Sequence, residues 1–184
     1  MPVTAAPRHR VLVVDDSRAQ RRILSMSLLR RGYEVVEAAS GEEALALARG
    51  GRFDIVLSDW VMPGMSGLEF CKAFRALPHD AYGYFILLTS KSEKEEIALG
   101  LDGGADDFLT KPVSGDELHA RLRAGERLLA MQRELREKNG QLGAALDELQ
   151  GLYDSLDRDL IEARKLQQTL VRDRHRDFGR GTAS

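Results

Sequence analysis

Short, continuously apolar runs alternate with stretches of helical spacing through the first two thirds of the chain. Residues 11–14, 35–39, 54–58, 84–89 and 107–110 are predicted strands, and most are too uniformly apolar to leave one face in water. Between them, residues 19–31, 41–49, 68–77 and 93–101 show helical periodicity. Ser40, Ser66 and Ser92 are the expected N-terminal caps, and Gly32, Gly50 and Gly103 the expected stops. A fifth helix is predicted from about Ser114. Strands and helices that alternate in this way fold as a parallel sheet with right-handed crossovers and helices on both faces, an α/β class. In such sheets ligands sit beyond the carboxyl ends of the strands.

The pattern changes after Asp116, beyond which no proline occurs. Leu128, Leu135, Leu142, Leu149, Leu156, Ala163 and Leu170 recur at every seventh position, the signature of a coiled-coil seam. A second, less regular line contains Met131, Leu146, Leu152, Tyr153, Leu160 and Leu166, and Lys138 or Asn139 interrupts it. Gly140, Gly143 and Gly151 each lower helix propensity by about 1 kcal/mol relative to alanine. An unbroken helix from Asp116 to Asp173 is roughly 85 Å long at ~1.5 Å per residue, too long to lie against one small domain. A parallel homodimer is the natural way to cover its stripe, and a single amphipathic helix folded back on the first part is the alternative.

Composition sharpens this division. The 184 residues carry 27 basic and 29 acidic groups, a formal net charge of -2, so no global field draws nucleic acid or an anionic membrane to the chain. Nine of the eleven aromatic residues precede residue 125, and Ile161 and Val171 are the only Ile or Val after it. The last 60 residues therefore lack the material of a second globular core. The expected organisation is a short flexible N-terminus (1–8), one α/β domain (9–124), a dimerising helix (125–173) and a flexible end (174–184). The single Cys71 can form no internal disulfide, and His9, His79, His119 and His175 are scattered, so a reducing, cytoplasmic setting without a zinc site is expected. The N-terminus has no apolar run, which argues against a signal or membrane anchor.

Chemistry is concentrated at the predicted strand ends. Asp15 and Asp16 follow the first strand, Asp59 the third, Thr89 the fourth, and Lys111 with Pro112 the fifth. Clustered carboxylates raise one another's pKa unless a cation neutralises them. With oxygen ligands and no neighbouring His or Cys, the suitable ion is a hard divalent one, Mg²⁺. A lysine beside such a cluster suits a phosphoryl group, whose oxygens the ammonium and the metal can share.

Four blocks carry a family resemblance: VLVVDDS at 11–17, LSDWVMPGMSGLEF at 57–70, LLTS at 87–90 and DDFLTKP at 106–112. In order and spacing they resemble the receiver domain of bacterial two-component response regulators, over residues 9 to about 124. The resemblance implies a flavodoxin-like (βα)5 doubly wound sheet in the order 2-1-3-4-5, with the fifth helix extended into a C-terminal coiled coil. It implies that Asp59 is the phosphoacceptor for a sensor histidine kinase or histidine phosphotransfer protein. It further implies that Asp16, Asp59 and the backbone carbonyl of Val61 bind Mg²⁺, with Asp15 acting through water. Lys111 and Thr89 would stabilise the phosphoryl group, and Thr89 with Phe108 would form the conformational switch. Pro112 matches the position of a cis Lys-Pro bond. Such domains catalyse only their own phosphorylation and dephosphorylation. The family often has tyrosine where this chain has Phe108, so a hydrogen bond from the ring tip is lost. Val61 and Lys91 fall at positions that tune phosphoryl lifetime.

The segment 156–179 is similar to the helix that precedes the catalytic domain in receiver-linked, metal-dependent Ser/Thr phosphatases of the sporulation-phosphatase type. A phosphatase output beyond Ser184 is therefore the leading expectation. A stand-alone adaptor whose coil binds a partner protein, or the receiver and stalk of a diguanylate cyclase, are the alternatives. No DNA-binding motif is read after the receiver, and the neutral tail argues against nucleic acid as a partner.

Overall fold

A computed structural model of the chain describes residues 9–78, 82–90 and 94–178. Five strands, β1 (Arg10–Val14), β2 (Glu34–Ala38), β3 (Ile55–Asp59), β4 (Tyr84–Thr89) and β5 (Asp107–Thr110), form one parallel sheet in the order β2-β1-β3-β4-β5. Five helices accompany them: α1 (Arg18–Arg30), α2 (Gly41–Gly50), α3 (Gly67–Arg75), α4 (Lys94–Asp102) and α5 (Gly115–Phe178). This is the flavodoxin-like doubly wound arrangement. β3 and β4 are buried at every position, which is why their sequences are continuously apolar, whereas the edge strands β2 and β5 keep partly exposed residues.

Alternation along each strand sends neighbouring side chains to opposite faces. Leu12, Val56, Phe85 and Leu87 pack with Ala44, Phe70, Cys71 and Phe74 of α2 and α3 on one face. Val11, Ile55, Ile86 and Leu88 pack with Leu24, Leu28, Leu118 and Leu122 of α1 and α5 on the other. Each large apolar side chain so buried contributes roughly 1.5–3 kcal/mol. Burial pushes the Cys71 thiol up to about 11, which leaves it a packing group rather than a nucleophile.

Helix ends explain the small departures from the sequence pattern. Ser40 caps α2 and Ser66 makes a reciprocal capping box with Glu69 at α3. Ser17 caps α1, so that helix starts one residue earlier than predicted. Gly32 has the left-handed φ of +87° expected of a stop, but α2 runs through Gly50, and Gly104 rather than Gly103 has the positive φ after α4. The predicted cap Ser92 lies outside the described residues, as do residues 1–8 and 179–184. Of the expected C-terminal end, residues 174–178 continue α5.

The chain divides into two units, one ending at Arg133 and the other beginning at Glu134. In the first, α5 stays packed past residue 124: Leu129 is buried and the Tyr33 hydroxyl donates to Glu126 at 2.5 Å. In the second, every described side chain is exposed. Within that helix, local pairs such as Glu134 with Lys138 add about 0.2–0.5 kcal/mol each to the backbone hydrogen bonds. Among the described residues, no helix is long and apolar enough to cross a membrane.

The turn after β3 depends on Gly67, whose backbone N–H donates to the Trp60 carbonyl at 2.8 Å and whose added Cβ would lie 2.0 Å from the Asp59 carbonyl oxygen. Gly67→Ala should therefore destabilise the protein by about 1–3 kcal/mol, read as a lower urea midpoint. Gly115→Ala, where a Cβ meets nothing within 4 Å, should leave the midpoint unchanged or raise it. Equal behaviour of the two variants would contradict this role for Gly67.

Candidate functional site

Parallel pairing places the carboxyl ends of all five strands on one rim, and the predicted chemical residues meet there. Asp59 is the last residue of β3, Thr89 the last of β4, and Asp15 and Lys111 directly follow β1 and β5. Carboxylate oxygens of Asp15, Asp16 and Asp59 lie within 4.8 Å of one another. The Lys111 Nζ is 2.9 Å from Asp59 Oδ2 and 3.1 Å from Asp15 Oδ2, so one ammonium bridges two carboxylates. Its third donor reaches the side-chain oxygen of Gln20 at 2.6 Å.

The three carboxylates differ in environment. Asp15 is fully buried; its Oδ1 accepts from the Ser17 N–H at 2.8 Å, and its backbone carbonyl accepts from Arg21 at 2.7 Å. Asp16 is exposed. Asp59 is 8% exposed, so it is reachable from solvent at its edge. Burial raises the pKa of Asp59; Lys111 opposes this by hydrogen bond and charge, Asp15 adds to it, and the net direction is upward. For Lys111, burial acts downward, but its hydrogen bonds to Asp59 and Asp15 and the charges of both outweigh it, and the ammonium is held above its ordinary value.

The surrounding residues fix this geometry. The Lys111 backbone N–H donates to the Thr89 carbonyl at 2.7 Å, tying the ends of β4 and β5, and the Lys111–Pro112 peptide is cis. Thr89 is buried, while Phe108 is half-buried against the α2–α3 core. Val61, two residues past Asp59, exposes 73% of its surface. Lys91 lies outside the described residues. Sequence reasoning placed Asp15 near the metal through water and did not anticipate that it would bind Lys111, nor that Gln20 would complete the lysine's shell. The only sequence signal for Gln20 is its position three residues after the Ser17 cap.

Such an arrangement joins an edge-exposed carboxylate of reduced acidity to an ammonium and two further carboxylates. It offers a nucleophilic oxygen, a positive donor for an incoming anion, and an all-oxygen donor set that suits a hard divalent cation.

Comparison with known proteins agrees with this arrangement. The family model for the response regulator receiver domain matches residues 11–123. The transcriptional regulatory protein AfsQ1 of Streptomyces coelicolor is 41% identical over 117 residues, covering 62% of this chain and 49% of that protein. Response regulator MprA of Mycolicibacterium vanbaalenii is 45% identical over 115 residues, again 62% and 49%. The DNA-binding response regulator MtrA of Mycobacterium tuberculosis is 38% identical over 117 residues, 64% of this chain and 50% of that protein. The chain thus spans about half the length of the curated relatives it matches. Among solved structures, chemotaxis protein CheY4 of Vibrio cholerae is similar with a TM-score of 0.61 and 39% identity, covering 64% of this chain and 98% of that one.

The raised pKa of Asp59 has a stability consequence with a definite sign. A carboxyl whose folded pKa exceeds its unfolded value contributes stability that is complete below the unfolded pKa and lost as pH rises through the folded one. Without divalent cations, Asp59→Asn should therefore melt higher than the parent at pH 7, and the difference should narrow as pH falls below the carboxylate range. Thermal unfolding across pH checks this; a variant that melts lower at pH 7 would contradict it.

Proposed function

Because this chain belongs to the response regulator receiver family, we propose that its Asp59 takes a phosphoryl group from the phosphohistidine of a sensor histidine kinase or histidine phosphotransfer protein. The observation that carries this reading is the Lys111 ammonium, 2.9 Å from Asp59 at a rim where three carboxylates converge. One Asp59 oxygen attacks phosphorus, forming an O–P bond as the P–N bond to the donor imidazole breaks. The bonding pair leaves with the imidazole nitrogen, which takes up a proton. The product is an acyl phosphate on Asp59. A Mg²⁺ ion held by Asp16, Asp59 and the backbone carbonyl of Val61, with Asp15 through water, would supply positive charge to the phosphoryl oxygens. Lys111 exchanges a carboxylate partner for a phosphoryl oxygen and keeps its charge neutralised throughout.

The switch follows from the added charge. The Thr89 hydroxyl turns toward the phosphoryl group and the Phe108 ring fills the space it leaves, which gives a two-state element biased by phosphorylation. Asp107, next to Phe108, accepts from Arg121 of α5 at 3.2 Å, and this supports a path from the switch strand into the long helix. That helix pairs with a second copy and passes the state to an output. The segment 156–179 favours a Ser/Thr phosphatase as that output. The names of AfsQ1 and MtrA attach transcription and DNA binding to those proteins, whose likeness to this chain lies in 117 residues. Residues 125–184 hold eleven basic and eleven acidic groups, so this stretch itself brings no net positive charge to DNA. The protein acts in the cytoplasm, and the receiver's own catalysis is self-phosphorylation and dephosphorylation, separate from that of a phosphatase output.

Acetyl phosphate or a beryllofluoride mimic, added with Mg²⁺, should modify the parent protein and leave Asp59→Ala unmodified, as read by phosphate-affinity gel and by fluorine NMR. Equal response of the two proteins would defeat the assignment. Val61→Asn should change the phosphoryl half-life several-fold, because an amide there can hydrogen-bond an attacking water and an apolar side chain cannot. An unchanged half-life would remove Val61 from the control of hydrolysis.

A further inference from the structure

Beyond Arg133 the leucine line of α5 stands in water: Leu135, Leu142, Leu149, Leu156 and Leu170 are 54–67% exposed. A two-stranded seam needs a second line three or four positions away. Three positions on lie Lys138, Ala145, Leu152, Asp159 and Leu166, which would bury an ammonium and a carboxylate against their own copies. Four positions on lie Asn139, Leu146, Tyr153, Leu160 and Gln167, none of them charged. Burying like charges together costs far more than burying an amide that finds a hydrogen-bonding partner. The leucines therefore take the d positions of the heptad and the Asn139 line takes the a positions.

Orientation follows from that register. In a parallel pair each a residue meets its own copy, so Asn139 faces the partner's Asn139 and Gln167 faces the partner's Gln167, and each amide both donates and accepts. An antiparallel pair sets a against d and turns those amides onto leucines. In the parallel pair a g residue also reaches the e residue five positions further along the other helix. Asp159 then meets the partner's Arg164, and from Lys138 to Val171 no such pair brings like charges together. Asp147, Glu148, Asp154 and Glu162 fall at the outward b and c positions, so the acidic stretch does not oppose the pairing.

We propose that a second copy of this chain docks on α5 in parallel and in register, with Asn139 as the layer that sets the register and Asp159–Arg164 ion pairs beside the seam. It presupposes the parallel dimeric helix expected from the sequence and adds its alignment and specifying residue. Leu142→Cys and Leu170→Cys, made separately in the full chain and oxidised mildly, should each form disulfide-linked dimers alone, at least tenfold more than the parent, whose only thiol is the buried Cys71. A dimeric mass with no cross-link in either variant would overturn the parallel, in-register alignment, since an antiparallel pair sets these d positions against a positions. A monomeric mass for the parent in sedimentation equilibrium would remove the dimeric helix itself, while the Asp59 modification assay judges the receiver chemistry separately. Asn139→Leu should raise the mass above that of a dimer or yield a mixture, and a strict dimer with the same cross-links would show that Asn139 does not specify the pairing.

Discussion

One ammonium held between buried carboxylates is the constraint on which the rim of this sheet depends. Two unit charges 4 Å apart interact by ~4 kcal/mol at an effective dielectric of about 20, and a domain has only about 5–15 kcal/mol of net stability. Asp15 is fully buried and Asp59 nearly so, and unrelieved repulsion between them would consume a large share of that margin. Lys111 relieves it by contacting both. Three carboxylates against one lysine still leave the site two charges negative when all are ionised, which is the condition that makes a divalent cation welcome. The same lysine that stabilises the resting fold is thus already placed for the chemistry proposed.

The fold supplies the rigidity that this balance requires. Three central strands are buried on both faces, and the glycine turn after β3 packs against the backbone of Asp59 itself. Asp59 is therefore presented from a strand buried at every position, as is Thr89 at the end of β4, whereas Phe108, second in the edge strand β5, is half-buried. On the opposite face of the sheet, Tyr33 with Glu126 and Asp107 with Arg121 fasten the first turns of α5 to the domain. Past Arg133 every described side chain of the helix is exposed, its leucines among them.

Most of this was legible in the sequence because it rests on periodicity. Continuous apolar runs gave the two-sided strands, a parallel sheet followed from their alternation with helices, the order 2-1-3-4-5 came from the family resemblance, and the residues after each strand were bound to share one rim. What escaped was what pairing across long separations decides. Asp15 and Lys111 are 96 positions apart and Gln20 and Lys111 are 91 apart, so no local pattern links them. Ser17 was passed over as a cap because the apolar rhythm of α1 starts after it. The packing of α5 through Leu129 was hidden for a related reason: the buried Leu122 and Leu129 stand one position off the heptad line that starts at the partly buried Leu128, and their own line ends at Arg136.

Of the three clustered carboxylates, the one that ends β3 and lies 2.9 Å from the Lys111 ammonium is the proposed nucleophile. Borohydride reduction after phosphorylation with Mg²⁺, followed by peptide mass mapping, tests it most directly, because an acyl phosphate is reduced to an alcohol and marks its own position. Homoserine at position 59 alone is expected. Homoserine at Asp15 or Asp16 would contradict it.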